Sequence, residues 1–353
     1  MTGVVPALLA GVPMPALAEE ATASKRCVLL VVDGLGWHQL QSRFDLTPNL
    51  RGATGGEITT VAPSTTAAAL TSIATGAAPG EHGIVGYRVR THDGIMNCLT
   101  WRTPNGDDRE TVDPAEFQPL PSFLGSRAPV VTRAEFRHSG FSEAHLRSSE
   151  WLGWHTPSSI LGQVRGALER GSSFVYAYYD GLDKVGHVHG VGAVGDGGYF
   201  EDELRFVDIL VGRLRDSLPE DVRLVVTADH GMIDVGKQLC EIAPEIASDT
   251  VVSSGEARFL WLHTRPGRQT DVMQAAKDLY SELAWVVSLE QVLDEQWLGP
   301  LVTHDARTRL GDVAIVACAP VAFVEAGKPD GAWMVGRHGG LTPAEMAVPL
   351  LVL

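Results

Sequence analysis

Residues 27–36 read Cys27-Val28-Leu29-Leu30-Val31-Val32-Asp33-Gly34-Leu35-Gly36. An uninterrupted apolar run that ends at a glycine turn is typical of a strand buried on both faces. The run stops at Asp33, so a carboxylate follows the carboxyl end of the strand, where open α/β sheets bind their ligands. Asp-Gly is also a common turn dipeptide, and Asp33 alone therefore does not distinguish a functional site from a turn.

The same apolar pattern recurs along the chain and alternates with helical periodicity. Further buried strands are predicted at residues 174–179, 222–227, 258–262 and 313–317. Helices are predicted at residues 157–169, 203–218 and 270–283. This alternation predicts an α/β fold with a doubly wound, mostly parallel central sheet flanked by helices. We expect a single domain over residues 1–353, with a small lid or subdomain inserted at about residues 255–311.

Composition narrows the class of protein and its partners. With 353 residues, 44% hydrophobic and 20% charged, the chain has the composition of a globular enzyme. The formal net charge of -15 and the lack of a basic run argue against binding to nucleic-acid polymers or anionic membranes. No segment approaches the roughly 20 apolar residues of a membrane-spanning helix. A small anionic substrate stays compatible with this charge if a metal supplies local positive charge.

Two features bear on the cellular compartment. The cysteines are scattered without CxxC spacing, as expected of reduced thiols, at Cys27, Cys98, Cys240 and Cys318. The apolar stretch 1–23 contains Ala16-Leu17-Ala18, which resembles a signal-peptide cleavage site. However, no basic residue precedes Lys25, and three prolines interrupt the stretch. We therefore expect an uncleaved cytoplasmic chain, with a secreted protein as the alternative.

Acidic and imidazole side chains follow the next predicted strand, 174–179. Asp183 and His187 lie four residues apart there, a spacing that suits one metal ion on one turn of chain. Asp180 and His189 are also within reach, so this segment by itself does not identify its ligands. Asp180 or His189 could instead form a hydrogen bond to a metal-binding side chain and so orient it.

Two further segments complete a set of three acids and three imidazoles. Asp229-His230-Gly231 follows the predicted strand 222–227, and His338 lies among glycines near the end of the chain. The chain has twelve histidines, and most histidines are not ligands, so only the joint pattern carries weight. Together the six side chains would supply two metal sites with three protein ligands each. Sites with an open position are typical of catalytic rather than structural zinc.

A cluster of hydroxyl groups precedes a predicted short helix. Pro63-Ser64-Thr65-Thr66 is followed by good helix formers and a stop at Gly76. One of the hydroxyls could simply cap the helix. A helix N-terminus also binds phosphate through its unpaired N–H groups, so a nucleophile would be well placed there. Because a threonine or serine hydroxyl does not ionise near neutral pH, metal coordination is the plausible activator.

With these residues assembled, the chain resembles the alkaline phosphatase superfamily and, within it, the nucleotide pyrophosphatase/phosphodiesterase branch. The resemblance spans residues 27–338. It rests on Val31-Val32-Asp33-Gly34, on Pro63-Ser64-Thr65-Thr66 with the stretch 75–84 behind it, on residues 183–187, on Asp229-His230-Gly231 and on Arg337-His338-Gly339. In this order and spacing the motifs are highly specific.

The resemblance implies a role for each motif residue. Thr66 is the implied nucleophile. One zinc ion is implied at Asp33, Asp229 and His230 together with Thr66, and a second zinc ion at Asp183, His187 and His338. Manganese is an alternative in one or both sites. The implied reaction passes through a phospho-threonine intermediate with net retention at phosphorus.

The resemblance also separates binding residues from structural ones. Where the branch has an asparagine that holds a non-bridging oxygen, this chain has Tyr87. That change leaves the preference for diesters or monoesters open. Arg88 is a candidate substrate contact beside it, as are Arg90, Lys184 and Arg337. For His82, which lies in a family-typical stretch, we predict hydrogen bonding rather than metal binding.

The predicted function is metal-dependent hydrolysis of phosphate esters or phosphoanhydrides. The partner is a small phosphorylated molecule, with nucleotides among the candidates. Phosphomonoesterase and phosphonoacetate hydrolase activities are alternatives within the superfamily. The sulfatase pattern is missing after Thr66, and neither the serine nucleophile nor the large insertion of the cofactor-independent phosphoglycerate mutases is evident. A non-catalytic metal-binding scaffold is the alternative of another class, although every expected ligand position is filled.

Overall fold

The computed structural model describes residues 1–17, 26–327 and 331–353. Its strands are β1 Arg26–Val32, β2 Thr54–Thr59, β3 Arg88–Thr91, β4 Gly94–Asn97, β5 Arg102–Thr103, β6 Gly106–Asp107, β7 Pro129–Arg133, β8 Glu150–Trp154, β9 Phe174–Tyr179, β10 Val222–Thr227, β11 Ile233–Asp234, β12 Leu239–Glu241, β13 Thr250–Glu256, β14 Phe259–Thr264, β15 Ala284–Ser288, β16 Val313–Ala317, β17 Ala322–Val324, β18 Gly336–Arg337 and β19 Ala347–Val352. Its α-helices are α1 Val4–Ala10, α2 Trp37–Gln41, α3 Pro48–Arg51, α4 Thr66–Thr75, α5 Pro79–His82, α6 Pro114–Phe117, α7 Gly140–His145, α8 Ser159–Glu169, α9 Gly181–His189, α10 Tyr199–Ser217, α11 Pro244–Ser248, α12 Gln269–Tyr280, α13 Leu289–Asp294, α14 His304–Thr308 and α15 Pro343–Met346.

A seven-stranded sheet with the order β2-β19-β10-β1-β9-β7-β8 forms the centre of the molecule. The five strands from β10 to β8 are parallel, whereas β19 and β2 are antiparallel to their neighbours. Helix α8 packs against β7, β8 and β9, and helix α10 packs against β10. The predicted doubly wound, mostly parallel fold is confirmed, and β1 is buried along nearly its whole length, as its apolar run requires.

The predicted elements agree with the structure to within a few residues. Strands β9, β10 and β16 have the predicted bounds, and β1 begins one residue early. The strand predicted at 258–262 is β14, which spans Phe259–Thr264, and Arg258 just before it forms a buried ion pair with Glu345. The three predicted helices correspond to α8, α10 and α12, with ends displaced by no more than four residues. Helix ends fray, so boundary shifts of this size are expected.

A second, four-stranded antiparallel sheet lies between the last two motifs of the chain. Its order is β13-β14-β16-β15, and one of its faces buries a separate apolar cluster with helix α12. The lid or subdomain predicted at about 255–311 falls within this sheet and stays a prediction. Strand β13 ends at the candidate site, so this sheet forms one wall of the cavity described below.

The N-terminal segment packs on the body of the protein. Helix α1 contacts helix α4, and a Cβ at Gly76, just after α4, would lie 2.8 Å from Pro6. Ala18, which completes the motif resembling a cleavage site, lies outside the described residues. Within the described ranges, no helix is both long and apolar enough to cross a lipid bilayer. All four cysteines are free thiols.

His82 is buried where helix α5 follows helix α4. The N–H of Ile84 donates to His82 Nδ1 at 3.1 Å, so the proton of the neutral ring lies on Nε2, which is 2.9 Å from Ser72 Oγ. The hydrogen-bonding role predicted for His82 is therefore confirmed. Burial lowers the pKa of His82 to about 3, so the ring stays neutral in the folded protein at pH values where an exposed histidine is charged.

A histidine held neutral by burial makes stability depend on pH. The folded pKa lies below the unfolded value of about 6.5, so the unfolded chain binds more protons as the pH falls below that value. Folding free energy should therefore be lost on acidification from about pH 6.5 towards pH 4. We expect His82→Asn to lower the free energy of unfolding at pH 8 by about 1–3 kcal/mol, through loss of a buried hydrogen bond. Below pH 6.5 the variant should lose stability less steeply than the wild type, by up to about 1.4 kcal/mol per pH unit.

Urea unfolding of both proteins across this pH range tests the prediction. A chelator should be present throughout, so that titration of metal ligands contributes equally to both proteins. Equal pH slopes for the two proteins would contradict a neutral His82.

Candidate active site

The ends of three neighbouring parallel strands bring the predicted acids together. In the sheet register Val31 pairs with Thr227 and Val32 pairs with Tyr179, so β1, β9 and β10 end at nearly the same level. Asp33 follows β1 directly, and Asp229 lies two residues after the end of β10. Asp183 follows β9 on the first turn of helix α9, where it packs against the turn after β1. The carboxyl edge of the sheet thus carries the site, as expected for an open α/β fold.

The first group consists of Asp33, Asp229 and His230, which are all buried. His230 Nε2 lies 3.3 Å from Asp33 Oδ1 and 3.4 Å from Asp229 Oδ2. The ligand atoms of the three side chains lie within 4.8 Å of one another, which is close enough to hold one metal ion. Asp229 Oδ1 is fixed by the backbone N–H groups of Gly34 and His230, so its other oxygen points to the group.

The second group is centred on Asp183. Its Oδ1 lies 3.3 Å from His187 Nε2 and 3.7 Å from His338 Nε2. Asp183 and His338 also share a 4.8 Å cluster with His230, whose ring stacks on that of His338 with centroids 3.5 Å apart. The two groups therefore form one continuous centre in which His230 lies between them. The assignment of His187 to the second metal stays a prediction, while its Nε2 faces Asp183.

The three histidines are oriented in the same way. Nδ1 of His187 lies 2.8 Å from the carbonyl of Gly336, Nδ1 of His230 lies 3.1 Å from that of Gly231, and Nδ1 of His338 lies 3.0 Å from that of Ser64. A carbonyl only accepts, so each Nδ1 carries a proton, and in the neutral ring Nε2 is the nitrogen with the lone pair. A backbone hydrogen bond at the far nitrogen is the usual way in which a metal-binding histidine is held.

The carboxylates leave oxygens without hydrogen-bond donors. Asp33 Oδ1, Asp183 Oδ1 and Asp229 Oδ2 are buried, and none accepts a hydrogen bond from the described part of the chain. Burial and the neighbouring acids raise the pKa of Asp33 well above its usual range, and burial raises the pKa of Asp229 as well. Burial, together with the charges of neighbouring histidines, lowers the pKa of His338. Carboxylate oxygens that lack hydrogen-bond donors and lie beside imidazole nitrogens are the ligands that divalent cations bind.

A tyrosine on β9 contributes to this centre. Tyr178 is buried, and its hydroxyl donates to Asp33 Oδ2, which leaves Oδ1 for a metal. The alternation of β9 places Tyr178 and Tyr179 on opposite faces, and the Tyr179 hydroxyl donates to Glu203 instead. The sequence did not identify Tyr178, because an aromatic residue in an apolar strand has the pattern of a core residue.

The geometry separates the three hydroxyls ahead of helix α4. Ser64 donates to the Gly340 carbonyl at 2.6 Å, and the N–H of Gly339 donates back to its oxygen. Thr65 is the residue before the helix, and its side chain interacts with Glu256. Thr66 is the first residue of α4, and its Oγ1 lies 3.0 Å from His230 Nε2. Of these three hydroxyls, that of Thr66 has a hydrogen bond to a residue of the metal centre.

A cavity of about 430 Å³ opens beside the centre. Thr66, Asp183, His187 and His338 form its floor. Its walls include both predicted substrate contacts: the Tyr87 hydroxyl accepts a hydrogen bond from Asn97 at 2.7 Å, and Arg88 Nε donates to the Gly255 carbonyl. Arg337 also lines the cavity, whereas Lys184 pairs with Asp180 outside it. The wall also contains Glu256, which the sequence did not identify as a site residue.

Two ligand candidates left open by the sequence have other roles. Asp180 accepts from Arg133 Nε at 2.7 Å and pairs with Lys184 at 2.6 Å, so its oxygens are satisfied away from the centre. His189 stacks on Tyr199 with ring centroids 3.8 Å apart. Asp183 and His187 are therefore the members of this segment that face the metal centre.

The family model for type I phosphodiesterase/nucleotide pyrophosphatase matches residues 27–341 of the chain, which confirms the resemblance drawn from the motifs. A curated relative, ectonucleotide pyrophosphatase/phosphodiesterase family member 7 of Mus musculus, is 29% identical over 111 residues. That stretch covers 30% of this chain and 23% of the relative, so the match spans about a quarter of that protein.

Solved structures of similar fold agree with this family. Murine ectonucleotide pyrophosphatase/phosphodiesterase 5 aligns with a TM-score of 0.70 and 15% identity over 92% of this chain and 87% of that chain. Its inactive threonine-to-alanine variant in complex with AMP aligns with a TM-score of 0.68 and 15% identity over 92% and 87%. Phosphonoacetate hydrolase from Sinorhizobium meliloti 1021, in complex with phosphonoacetate, aligns with a TM-score of 0.65 and 17% identity over 93% and 90%. At these identities the structures establish the fold.

The hydrogen bond from Tyr178 to Asp33 should set the affinity of the centre for metal. Tyr178→Phe removes the donor that fixes Asp33 and leaves the ring in place. We expect the zinc dissociation constant, measured by competition with a chromophoric chelator, to rise about 10- to 100-fold. Tyr179→Phe is the matched control, because its hydroxyl binds Glu203, and it should leave zinc affinity unchanged. Equal affinities of Tyr178→Phe and the wild type would refute this positioning role.

Proposed function

Because the chain belongs to the type I phosphodiesterase/nucleotide pyrophosphatase family, we propose that it hydrolyses phosphodiesters or phosphoanhydrides with Thr66 as the nucleophile. The observation that carries the proposal is the contact of Thr66 Oγ1 with His230 Nε2 at 3.0 Å, at the edge of two clustered ligand groups. A hydroxyl at a helix N-terminus, beside acids and imidazoles with unused lone pairs, is arranged for phosphoryl transfer.

The residues at the centre divide into two ligand sets in this proposal. Asp33, Asp229 and His230 would hold one zinc ion with Thr66. Asp183, His187 and His338 would hold the other. Mixed carboxylate and imidazole donors suit zinc, and manganese is the alternative. Two such cations, when bound, supply positive charge for the phosphate oxygens and make an alcohol easier to deprotonate.

Thr66 would react in two steps. Its Oγ1 loses its proton to solvent and forms a bond to phosphorus while the bond from phosphorus to the leaving oxygen breaks, and the leaving group takes up a proton from solvent. Water then attacks the phospho-threonine, which restores the Thr66 hydroxyl and releases the phosphorylated product. Each step inverts the configuration at phosphorus, so the overall outcome is retention. The N-terminus of helix α4 favours the developing negative charge in both steps.

The cavity supports an organic ester group of moderate size. Its volume of about 430 Å³ exceeds the space needed for phosphate alone, and the apolar side chains of Leu99, Leu260 and Phe323 are part of its lining. A nucleotide is the proposed substrate class, in line with the family and with the AMP complex of a structural relative. Tyr87 can donate a hydrogen bond to a non-bridging oxygen, as the family asparagine would.

Removing the proposed nucleophile should abolish turnover. We expect Thr66→Ala to lower kcat for bis-p-nitrophenyl phosphate by at least about 10³-fold in the zinc-loaded protein, because no other group can form the intermediate. Thr66→Ser keeps a hydroxyl and should retain measurable turnover. The assay should include p-nitrophenyl phosphate, since a preference for the monoester would replace the diesterase proposal with a phosphatase.

Thr71→Ala is the matched control for this experiment. Thr71 lies on the same helix, and its hydroxyl donates to the Ala67 carbonyl, away from the metal centre. This variant should retain wild-type turnover. If Thr66→Ala kept more than about a tenth of the activity, the nucleophile would have to be another residue.

The two proposed metal sites should be separable by stoichiometry. We expect the wild type to bind two zinc ions per chain and Asp183→Asn to bind one, because the substitution removes the negative charge at the centre of the second group and replaces one carboxylate oxygen by an amide nitrogen. Asp180→Asn is the matched control, since Asp180 is paired with Arg133 and Lys184, and it should still bind two. Metal content after gel filtration measures the difference. One zinc ion in the wild type, or an equal loss in both variants, would disprove the proposed ligand sets.

A further inference from the structure

Glu256 is a carboxyl group in the cavity wall that the proposed chemistry does not use. It is the last residue of β13, it is 8% exposed, and it lines the cavity together with Thr65 and Thr66. Its Oε1 is buried and accepts no hydrogen bond from the described part of the chain. Burying a polar atom without a hydrogen-bond partner costs free energy. We therefore expect a bound ligand to supply the missing partner of Glu256 Oε1.

The carboxyl group is held in place by its surroundings. A Cβ at Gly339 would lie 2.4 Å from Glu256 Oε2, so the group rests directly against the Gly339 backbone. The Thr65 side chain interacts with the same carboxyl group. Glu256 is therefore fixed next to the residue that precedes the proposed nucleophile and to the residue that follows His338.

Two arginines lie near Glu256, and both are engaged: Arg88 Nε donates to the carbonyl of Gly255, the residue before Glu256. Arg258, two residues further on, forms two hydrogen bonds with Glu345, at 2.9 Å from Nε and 2.7 Å from Nη2. Both members of that pair are fully buried. Glu256 and Glu345 thus lie close together, and the arginine between them binds Glu345 in a bidentate pair. This arrangement leaves Glu256 Oε1 to the cavity.

We propose that Glu256 determines substrate specificity by accepting a hydrogen bond from a donor group, a hydroxyl or an ammonium, on the organic part of the substrate. This inference rests on the proposed function, because the phosphate must occupy the site at Thr66 to bring the donor to the wall. Burial raises the pKa of Glu256 to about 8, and both the neutral and the charged carboxyl group keep a lone pair for such a bond. Substrates with a purely apolar ester group would leave Oε1 unpaired.

The lining of the cavity limits where on the substrate the hydrogen-bond donor can lie. The phosphate-binding floor is adjacent to Glu256, and the apolar side chains Leu99, Leu260 and Phe323 also line the cavity. A short aliphatic chain between phosphorus and the donor group is therefore the simplest match. Sugar hydroxyls of a nucleotide and the hydroxyl or amino group of a small alcohol ester share this chemistry.

Three phosphonates of equal chain length distinguish these donors without turnover. Propylphosphonate, 3-hydroxypropylphosphonate and 3-aminopropylphosphonate would be titrated calorimetrically into the zinc-loaded protein. We expect the hydroxyl and amino compounds to bind about tenfold more tightly than propylphosphonate, because they satisfy a buried acceptor. If the protein prefers only the hydroxyl compound, the donor is a hydroxyl group, and if it prefers only the amino compound, the donor is an ammonium group.

Variants of the carboxyl group complete the test. Glu256→Leu should bind all three phosphonates with nearly equal affinity. Glu256→Gln keeps an acceptor oxygen without charge, so it should retain the preference for the hydroxyl compound and lose most of that for the amino compound. Glu325→Gln is the matched control, because Glu325 lines the same cavity but accepts a hydrogen bond from Ser253. It should keep both preferences, and thermal unfolding confirms that each variant is folded.

The outcomes separate this inference from the proposed function. Equal binding of the three phosphonates by the wild type would overturn the role of Glu256 and leave the phosphate site intact. The same preferences in wild type and Glu256→Leu would also overturn it. No binding of any phosphonate, despite bound zinc, would overturn the phosphate site at Thr66 and this inference together.

Discussion

The structure depends on the confinement of three carboxylates at the ends of neighbouring parallel strands. Asp33, Asp183 and Asp229 each keep one buried oxygen without a hydrogen-bond donor from the described residues. Bringing like charges together in a medium of low dielectric constant is strongly unfavourable unless positive charge is added or protons are taken up. Without bound cations, the pKa values of Asp33 and Asp229 are raised, so proton uptake reduces the repulsion between the carboxylates. A centre of this kind is stable in its charged form only with cations bound, which links metal binding to the fold.

Close backbone approach is what allows the centre to be so compact. A Cβ at Gly34 would lie 3.0 Å from the Asp183 backbone, and one at Gly231 would lie 2.1 Å from the Ala344 carbonyl. Gly34 also has φ of 75°, a conformation that side chains other than glycine rarely adopt. The glycines next to the acids are therefore needed for close packing of the backbone, and not only for forming a turn. They let the loop after β1 pack against Asp183 and the loop after β10 pack against helix α15.

Much of this arrangement could be predicted from the sequence, because strands buried on both faces produce a strong apolar signal and their ends are marked by Asp-Gly or Asp-His-Gly. Asp33, Asp229 and His230 followed from that pattern. The choice of Thr66 among three hydroxyls did not, since it depends on Ser64 binding the Gly339–Gly340 backbone and Thr65 facing β13, contacts made across more than 190 residues. Tyr178 could not be identified from the sequence, because every residue of β9 is buried and a tyrosine there has the pattern of a core residue. Glu256 had one available signal, its position two residues before the predicted strand 258–262, but pairing of β13 with β14 was needed to place it at the site.

The charge distribution explains how an acidic protein can bind an anionic substrate. The chain has a formal net charge of -15, and the floor of the cavity is itself built from acids. Arg88 and Arg337 reach the walls, and the N-terminus of α4 adds a partial positive charge, yet these cannot offset three carboxylates next to a phosphate. Attraction of the phosphate therefore requires the cations that the acids hold. Once they are bound, the carboxyl group of Glu256 still lines the wall with one oxygen that accepts no hydrogen bond from the described residues. In the proposed binding mode, the cavity would present positive charge to the phosphate and a hydrogen-bond acceptor to the organic group of the ester, which would orient the substrate in one direction.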